Sequence, residues 1–303
     1  MKILIVGAGV IGTVYGAHLG ASGHKLSVLA HGTRTEAVAR DGLSARDVTA
    51  DVVTEAPASV VRAASEEPFD LVLVALRRDH LSRAADQLST LAGRPLVLFF
   101  ANNPSGKAGL PREVPGTTCM GFPGIGGAME AGRAEYAPIA QQPTTIDDTP
   151  DPRLREFKAT LEHRGFNVQS VSNIEGWLTY HAVFVTCIAA ALEHCENDPQ
   201  RLAGDRGELR LMCQAIAGGF SELRRQGVTG LPGNLAVLHS RLLLPFAVRY
   251  WARSMRSPMG ELAFAAHARH AQPEMHALAT DVLARVTKDM QPTSLIQLLK
   301  SNA

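Results

Sequence analysis

Gly7-Ala8-Gly9-Val10-Ile11-Gly12 is a G-x-G-x-x-G run set between a β-branched stretch, Lys2–Val6, and a segment of helical spacing, Val10–Ser22. Each glycine has a physical task in such a loop. Gly7 permits a tight turn, Gly9 has no Cβ to obstruct a pyrophosphate, and Gly12 lets helix and strand pack closely. The helix opening at Val10 and Ile11 points N–H groups and a positive dipole end at phosphates. The chemistry is dinucleotide binding; the alternative is a tight strand–helix turn without ligand. The next strand, Lys25–Ala30, selects among dinucleotides. NAD, FAD and S-adenosylmethionine sites usually carry a carboxylate at its end, to accept from the ribose 2′-OH. Here the chain reads Ala30-His31-Gly32-Thr33-Arg34, with no acid before Glu36. Arg34, with His31 and Thr33, suits a 2′-phosphate, so NADPH/NADP is the expected cofactor.

Other residues carry weaker signals. Asn102 and Asn103 follow the apolar run Pro95–Phe100, at a strand's C-terminal end, where doubly wound sheets bind ligands. Gly121–Gly127 is a second glycine cluster, either an active-site loop or a turn between strands. Arg249, Arg253 and Arg256 gather around Tyr250-Trp251, and an arginine can hold a carboxylate in a bidentate way; a solvated face is the alternative. His267, His270 and His276 lack a third ligand at metal spacing, and no metal is expected.

Positioning these residues takes two architectures. Asp70–Ala75 and Pro95–Phe100 are continuous apolar runs, the mark of parallel strands buried on both faces, with the helix-length segment Asp79–Leu91 between them. Shorter strands are expected near Thr117–Phe122, Tyr136–Ala140, Thr144–Ile146 and Phe166–Val171. From Asn173 onward the patterns are helical: Glu175–Cys195, Arg206–Gln226, Asn234–Arg253 and Glu274–Asp289. The reading is α/β: a Rossmann-type doubly wound N-terminal domain (1–171) plus an all-helical C-terminal domain (172–303) for substrate and dimerisation. Long apolar helices such as Asn234–Val248 suit a homodimer.

Composition agrees with a globular enzyme-like chain. At 303 residues and 46% hydrophobic, with 5% aromatics, the core must rest on Leu, Val, Ile and Ala. Thirty Lys+Arg against 29 Asp+Glu leaves +1, which offers no field for nucleic acid or an anionic membrane. Cys119, Cys187, Cys195 and Cys213 form no C-x-x-C pair, so reduced core thiols and a cytoplasmic location are expected. Lys2 and the apolar stretch after it imitate a secretory leader, but Gly7, Gly9, Gly12 and Gly16 punctuate it. The apolar run Ala182–Leu192 is broken by Thr186 and too short to span a membrane.

Taken together, the opening KILIVGAGVIG, the H-G-T-R segment with AVARDGL, DLVLVALRRDHL, LFFANN and IEGWLTYHAVFV resemble the ketopantoate reductase (2-dehydropantoate 2-reductase) family. The resemblance implies a Rossmann-type domain, a helical domain, and hydride delivery from NADPH to a small 2-keto acid or related carbonyl. It places Arg77 where the family carries a cofactor-contacting lysine, and Asn102 at the family's asparagine near the nicotinamide. The family's catalytic lysine falls on Thr179, which is no general acid near neutral pH. His181, two residues on, has the suitable chemistry for the proton and is the first choice in a catalytic set with Asn102 and Thr179; Tyr180 and Thr179 are weaker donors by type. Glu261, in Ser257-Pro-Met-Gly-Glu-Leu, and Arg256 are the candidates for substrate contact. Two other readings stand beside the reductase: a non-catalytic NADP(H)-binding sensor that has lost the lysine, and a methyltransferase or flavin enzyme, against which the missing acid counts.

Overall fold

The computed structural model describes residues 1–257, 260–261, 272–286 and 293–300. In chain order the elements are β1 (Lys2–Val6), α1 (Val10–Gly20), β2 (Lys25–Leu29), α2 (Thr33–Asp41), β3 (Leu43–Asp47), β4 (Val52–Ala56), β5 (Ser59–Val61) and β6 (Leu71–Val74). There follow α3 (Arg78–Ser89), β7 (Leu96–Phe100), β8 (Thr117–Phe122), β9 (Ile125–Glu130), β10 (Arg133–Pro138), β11 (Thr144–Asp147), α4 (Pro152–His163) and β12 (Val168–Val171). Among the described residues that follow, the elements are helices: α5 (Ile174–His194), α6 (Pro199–Gly204), α7 (Arg206–Arg225), α8 (Gly233–Leu238), α9 (Leu244–Arg256), Gln272–Val286 and Thr293–Lys300.

One sheet runs β12-β11-β8-β7-β6-β1-β2-β5, parallel from β5 to β8. Chain order reverses at β1, whose neighbours are β2 and β6. That is the switch point at which doubly wound sheets bind ligands. Val6 lies opposite both Leu29 and Val74, so the three strands end level there. β6 and β7 are buried on both faces, as their unbroken apolar sequences require.

A second, four-stranded sheet, β4-β3-β10-β9, was not expected from the sequence. It covers the outer side of α1. A Cβ on Gly16 would stand 2.5 Å from Leu43 of β3 and 3.4 Å from Ile5 of β1, which shows how tightly the helix is held between the sheets. Burial on both sides explains why α1 has no polar face: Gly12 through Leu19 are all buried. The glycine cluster at 121–127 is the link between the sheets, not an open loop. Strand β8 ends at Phe122, β9 begins at Ile125, and the Gly124 N–H donates to Tyr15 Oη (3.1 Å) and Thr144 Oγ1 (3.2 Å).

The chain forms two compact units, and the division is not a single cut. Met1–Ala101 and Leu110–Ile174 make the sheet unit; Asn102–Gly109 joins Glu175–Ala303 in the helical unit. Helix α5 is long and apolar enough to cross a membrane, but 83% of that window is buried inside the protein, as in a soluble core helix. The helix expected over Asn234–Arg253 is broken. It stops at Leu238, passes through a 3-10 turn at Arg241–Leu243, and restarts at Leu244 with Pro245 in its first turn. Proline has no N–H and cannot continue a preceding helix, so it opens a new one. The four cysteines are buried free thiols, and burial pushes the Cys187 and Cys213 thiols up.

The break buries His239 in an aromatic setting formed by Phe184, Phe220 and Trp251, with ring centroids 5.9–6.2 Å away. Neither ring nitrogen has a hydrogen-bond partner among the described residues, and burial pulls its pKa from 6.5 to about 4. The unfolded chain therefore binds this proton more tightly. Stability is full above pH 6.5 and is lost as pH falls toward about 4. Both tryptophans, Trp177 and Trp251, lie in the helical unit, so their fluorescence in denaturant reads that unit alone. His239→Phe should flatten the acid-side loss in that assay; an unchanged slope would show that this imidazole is not the titrating group.

Candidate functional site

The glycine loop leaves the end of β1 at the switch point. Gly7 has φ +99°, and its N–H donates to the Leu29 carbonyl at 3.1 Å. A Cβ there would stand 2.7 Å from the Ala75 carbonyl oxygen, beyond β6. A Cβ on Gly12 would meet the Gly7 carbonyl oxygen at 1.9 Å. The protein itself therefore demands both glycines. Gly9 is different. Its backbone (φ −77°, ψ −168°) suits any residue, and a Cβ would meet nothing within 4 Å. No contact among the described residues requires a glycine here, and the Cβ direction is open. No side chain caps α1 and no acid lies in its first turn, so the N–H groups at Val10 and Ile11 face an anion site without competition. These residues fit a dinucleotide pyrophosphate.

The segment after β2 comes back onto the loop. Arg34 Nε donates to the Ala8 carbonyl at 3.0 Å, Nη2 to Thr13 Oγ1 at 3.3 Å, and Nη1 to the Gly132 carbonyl at 2.9 Å. Partial burial lowers the guanidinium pKa somewhat by desolvation, yet arginine stays charged. His31 is exposed beside it. Arg77, also exposed, is the N-cap residue of α3 just past β6. Sequence reasoning missed Thr13 and Gly132, because only the fold brings residues 13, 34 and 132 together.

In the helical unit, Asn102 to Gly109 meets the first turns of α5. The Asn102 Oδ1 is buried with no hydrogen-bond partner among the described residues, while Asn103 Nδ2 donates to the Gly106 carbonyl at 2.6 Å. The single Thr179 hydroxyl hydrogen faces two backbone carbonyls, Glu175 at 2.8 Å and Pro104 at 3.2 Å. That geometry ties the segment to the helix and shares the one hydroxyl hydrogen between main-chain carbonyls. Tyr180 donates to the Val228 carbonyl at 2.8 Å on another side of α5. His181 is buried and stacked on Trp177, with centroids 4.9 Å apart and planes 10° apart. The three successive residues thus point to three different neighbours. Arg256 donates to the Ala203 carbonyl at 3.0 Å; Arg249, Arg253 and Glu261 are exposed. His276 pairs with Glu193 at 2.9 Å, and His267 and His270 lie outside the described residues.

With this geometry in view, the comparisons with known proteins converge. Residues 3–148 match the family model described as ketopantoate reductase PanE/ApbA. Over these residues the chain matches the ketopantoate reductase family. This is a family of oxidoreductases. Its Rossmann-type sheet domain and helical second part are the ones seen here. A 2-dehydropantoate 2-reductase from Geobacter metallireducens GS-15 superposes with a TM-score of 0.76 over 100% of both chains, at 18% identity. A PanE/ApbA family ketopantoate reductase from Ralstonia eutropha JMP134 is 22% identical, with 94% of this chain and 98% of that one covered and a TM-score of 0.66. A D-mandelate dehydrogenase, solved with NADH and anilino(oxo)acetate, gives 0.75 at 15% identity over 99% and 96% of the two chains. At these identities the likeness is one of fold.

Proposed function

We propose that the protein is an NADPH-dependent reductase of a small 2-keto acid or related carbonyl compound. The observation that carries this reading is the opening at Gly9, an uncapped helix start with room for a pyrophosphate, at the switch point of a ketopantoate reductase fold. A nicotinamide cofactor is bound by a relative of the same fold, the D-mandelate dehydrogenase solved with NADH. In this chain Gly7, Gly9, Gly12 and the amides at Val10 and Ile11 hold the pyrophosphate. Arg34, beside His31, takes the 2′-phosphate, and the family resemblance assigns Arg77 and Asn102 to the cofactor as well. Bound NADPH supplies the hydride. The oxygen of the carbonyl then needs one proton to become the hydroxyl, and His181 is the candidate donor. Arg256 and Glu261 are the candidates for substrate contact.

The Thr179 geometry favours a second reading. No cation stands where the family has its lysine, and the hydroxyl there is committed to backbone. That suits an NADP(H)-binding sensor without turnover. NADPH fluorescence titration followed by absorbance decay with a panel of 2-keto acids separates the two. Turnover supports the reductase, binding alone supports the sensor, and no binding removes both.

Cofactor choice gives a sharper check. Arg34→Ala should weaken NADPH far more than NADH, because a charge-assisted bond to phosphate contributes about 1.5–3 kcal/mol, or about 10- to 150-fold. Equal losses for both cofactors would show that Arg34 does not read the phosphate. A homodimer through the helical unit belongs to the same proposal. Val237, Leu242 and Phe246 are exposed apolar residues there, and a ketopantoate reductase from Staphylococcus aureus is dimeric. Sedimentation at a single-chain mass would remove it.

A further inference from the structure

Arg34 is held from three directions. Its partners come from the glycine loop (Ala8), the first turn of α1 (Thr13) and the turn between β9 and β10 (Gly132). In that turn Ala131 (φ 47°) and Gly132 (φ 90°) take the left-handed conformation that a two-residue hairpin connection uses, which aims the Gly132 carbonyl at the guanidinium. Thr13 is itself fixed. It is fully buried, and its Oγ1 donates to the Ala8 carbonyl at 3.3 Å while accepting from Arg34. Ala8, Thr13 and Arg34 thus close a small ring of hydrogen bonds at the mouth of the loop.

A guanidinium carries five N–H bonds. The three in use leave two, one on Nη1 and one on Nη2. A planar fork of this kind is suited to bidentate contact with phosphate, and one already locked loses less freedom when the ligand arrives.

We propose that Thr13 is a positioning residue for cofactor selectivity: with the Gly132 carbonyl, it presets Arg34 as a clamp for the ribose 2′-phosphate. The inference rests on the NADPH reading above and names the residue that fixes its selectivity. Lysine at position 34 would keep the charge but could not bridge all three partners, because an ammonium is a point donor.

The test compares Thr13→Val, which keeps the shape and deletes the hydroxyl, with Thr13→Ser, which keeps the hydroxyl. Affinities are measured by titration for NADPH against NADH, and for 2′,5′-ADP against 5′-AMP. Thr13→Val should lose about 3- to 10-fold in affinity for the 2′-phosphorylated ligand of each pair, the effect of one ordinary hydrogen bond, and change the others by less than about twofold. Thr13→Ser should stay near wild type. A wild-type preference for NADPH that survives in Thr13→Val, or equal losses for all four ligands, overturns the role of Thr13 and leaves the cofactor reading standing. Equal wild-type affinity for NADPH and NADH overturns the cofactor reading itself, and Thr13's role with it. Should Thr13→Val fail to fold, the Arg34 Nε–H resonance decides. It should be protected from exchange in the nucleotide-free wild type and remain so with 2′,5′-ADP; a rapidly exchanging signal in the nucleotide-free protein refutes a preset clamp.

Discussion

Gly9→Val is expected to abolish NADPH binding and to leave the fold nearly untouched. The backbone of Gly9 lies in a region open to every residue, and its Cβ direction is empty to 4 Å, so the added isopropyl group meets no protein atom at its root. Valine is a poorer helix N-cap than glycine, and the fold should lose no more than about 1 kcal/mol. The ligand bears the rest. A branched side chain standing where the pyrophosphate must approach should weaken NADPH by at least about 100-fold, beyond a calorimetric titration at ordinary concentrations. Gly12→Ala is the contrasting control, since its methyl group would overlap the Gly7 carbonyl oxygen and the fold itself should fail. Calorimetry showing wild-type affinity in a folded Gly9→Val protein would end the nucleotide assignment.

The second large effect is on turnover. If His181 donates the proton, His181→Gln lowers the rate of carbonyl reduction by ~10²–10⁴-fold, the usual share of general acid catalysis. NADPH affinity should be nearly unchanged, because the glycine loop belongs to the other unit. Glutamine loses the flat stacking on Trp177, so tryptophan fluorescence in denaturant must accompany the kinetics. A folded variant that reduces substrate at the wild-type rate would make His181 a packing partner of Trp177 and send the search for the acid to Glu261 or bound water.

The parts legible in the sequence were those governed by local chemistry. The glycine loop and the apolar runs of β6 and β7 declare themselves, because a strand buried on both faces has no polar option. The start of α7 was equally plain, with Asp205 capping the Glu208 N–H. The second sheet was hidden for the opposite reason. Strands β3 (Leu-Ser-Ala-Arg-Asp) and β4 (Val-Val-Thr-Glu-Ala) are short and half polar, and β3 pairs with β10, about 90 residues away along the chain. The helix break was missed because His239 and Ser240 disturb no hydrophobic period, so only Pro245 carried the signal. At the site, Arg34 was visible as a charge in the right place. Its three partners were not, since each depends on tertiary approach. Thr179 was read through its family position, and its backbone bonds could be seen only once Pro104 stood against α5.

The excursion of Asn102–Gly109 bears on how this protein can be taken apart or recombined. The chain passes from one unit to the other three times, after Ala101, after Gly109 and after Ile174. A gene truncated at Ile174 would encode the whole sheet unit together with eight residues whose native neighbours had been removed, exposing Pro104 and the Asn103 turn. A product beginning at Glu175 would lack the carbonyl that Thr179 bonds. Neither piece is a cassette, so swapping the helical half for that of a relative with a different substrate requires a graft at two places: the 102–109 segment must travel with the helices.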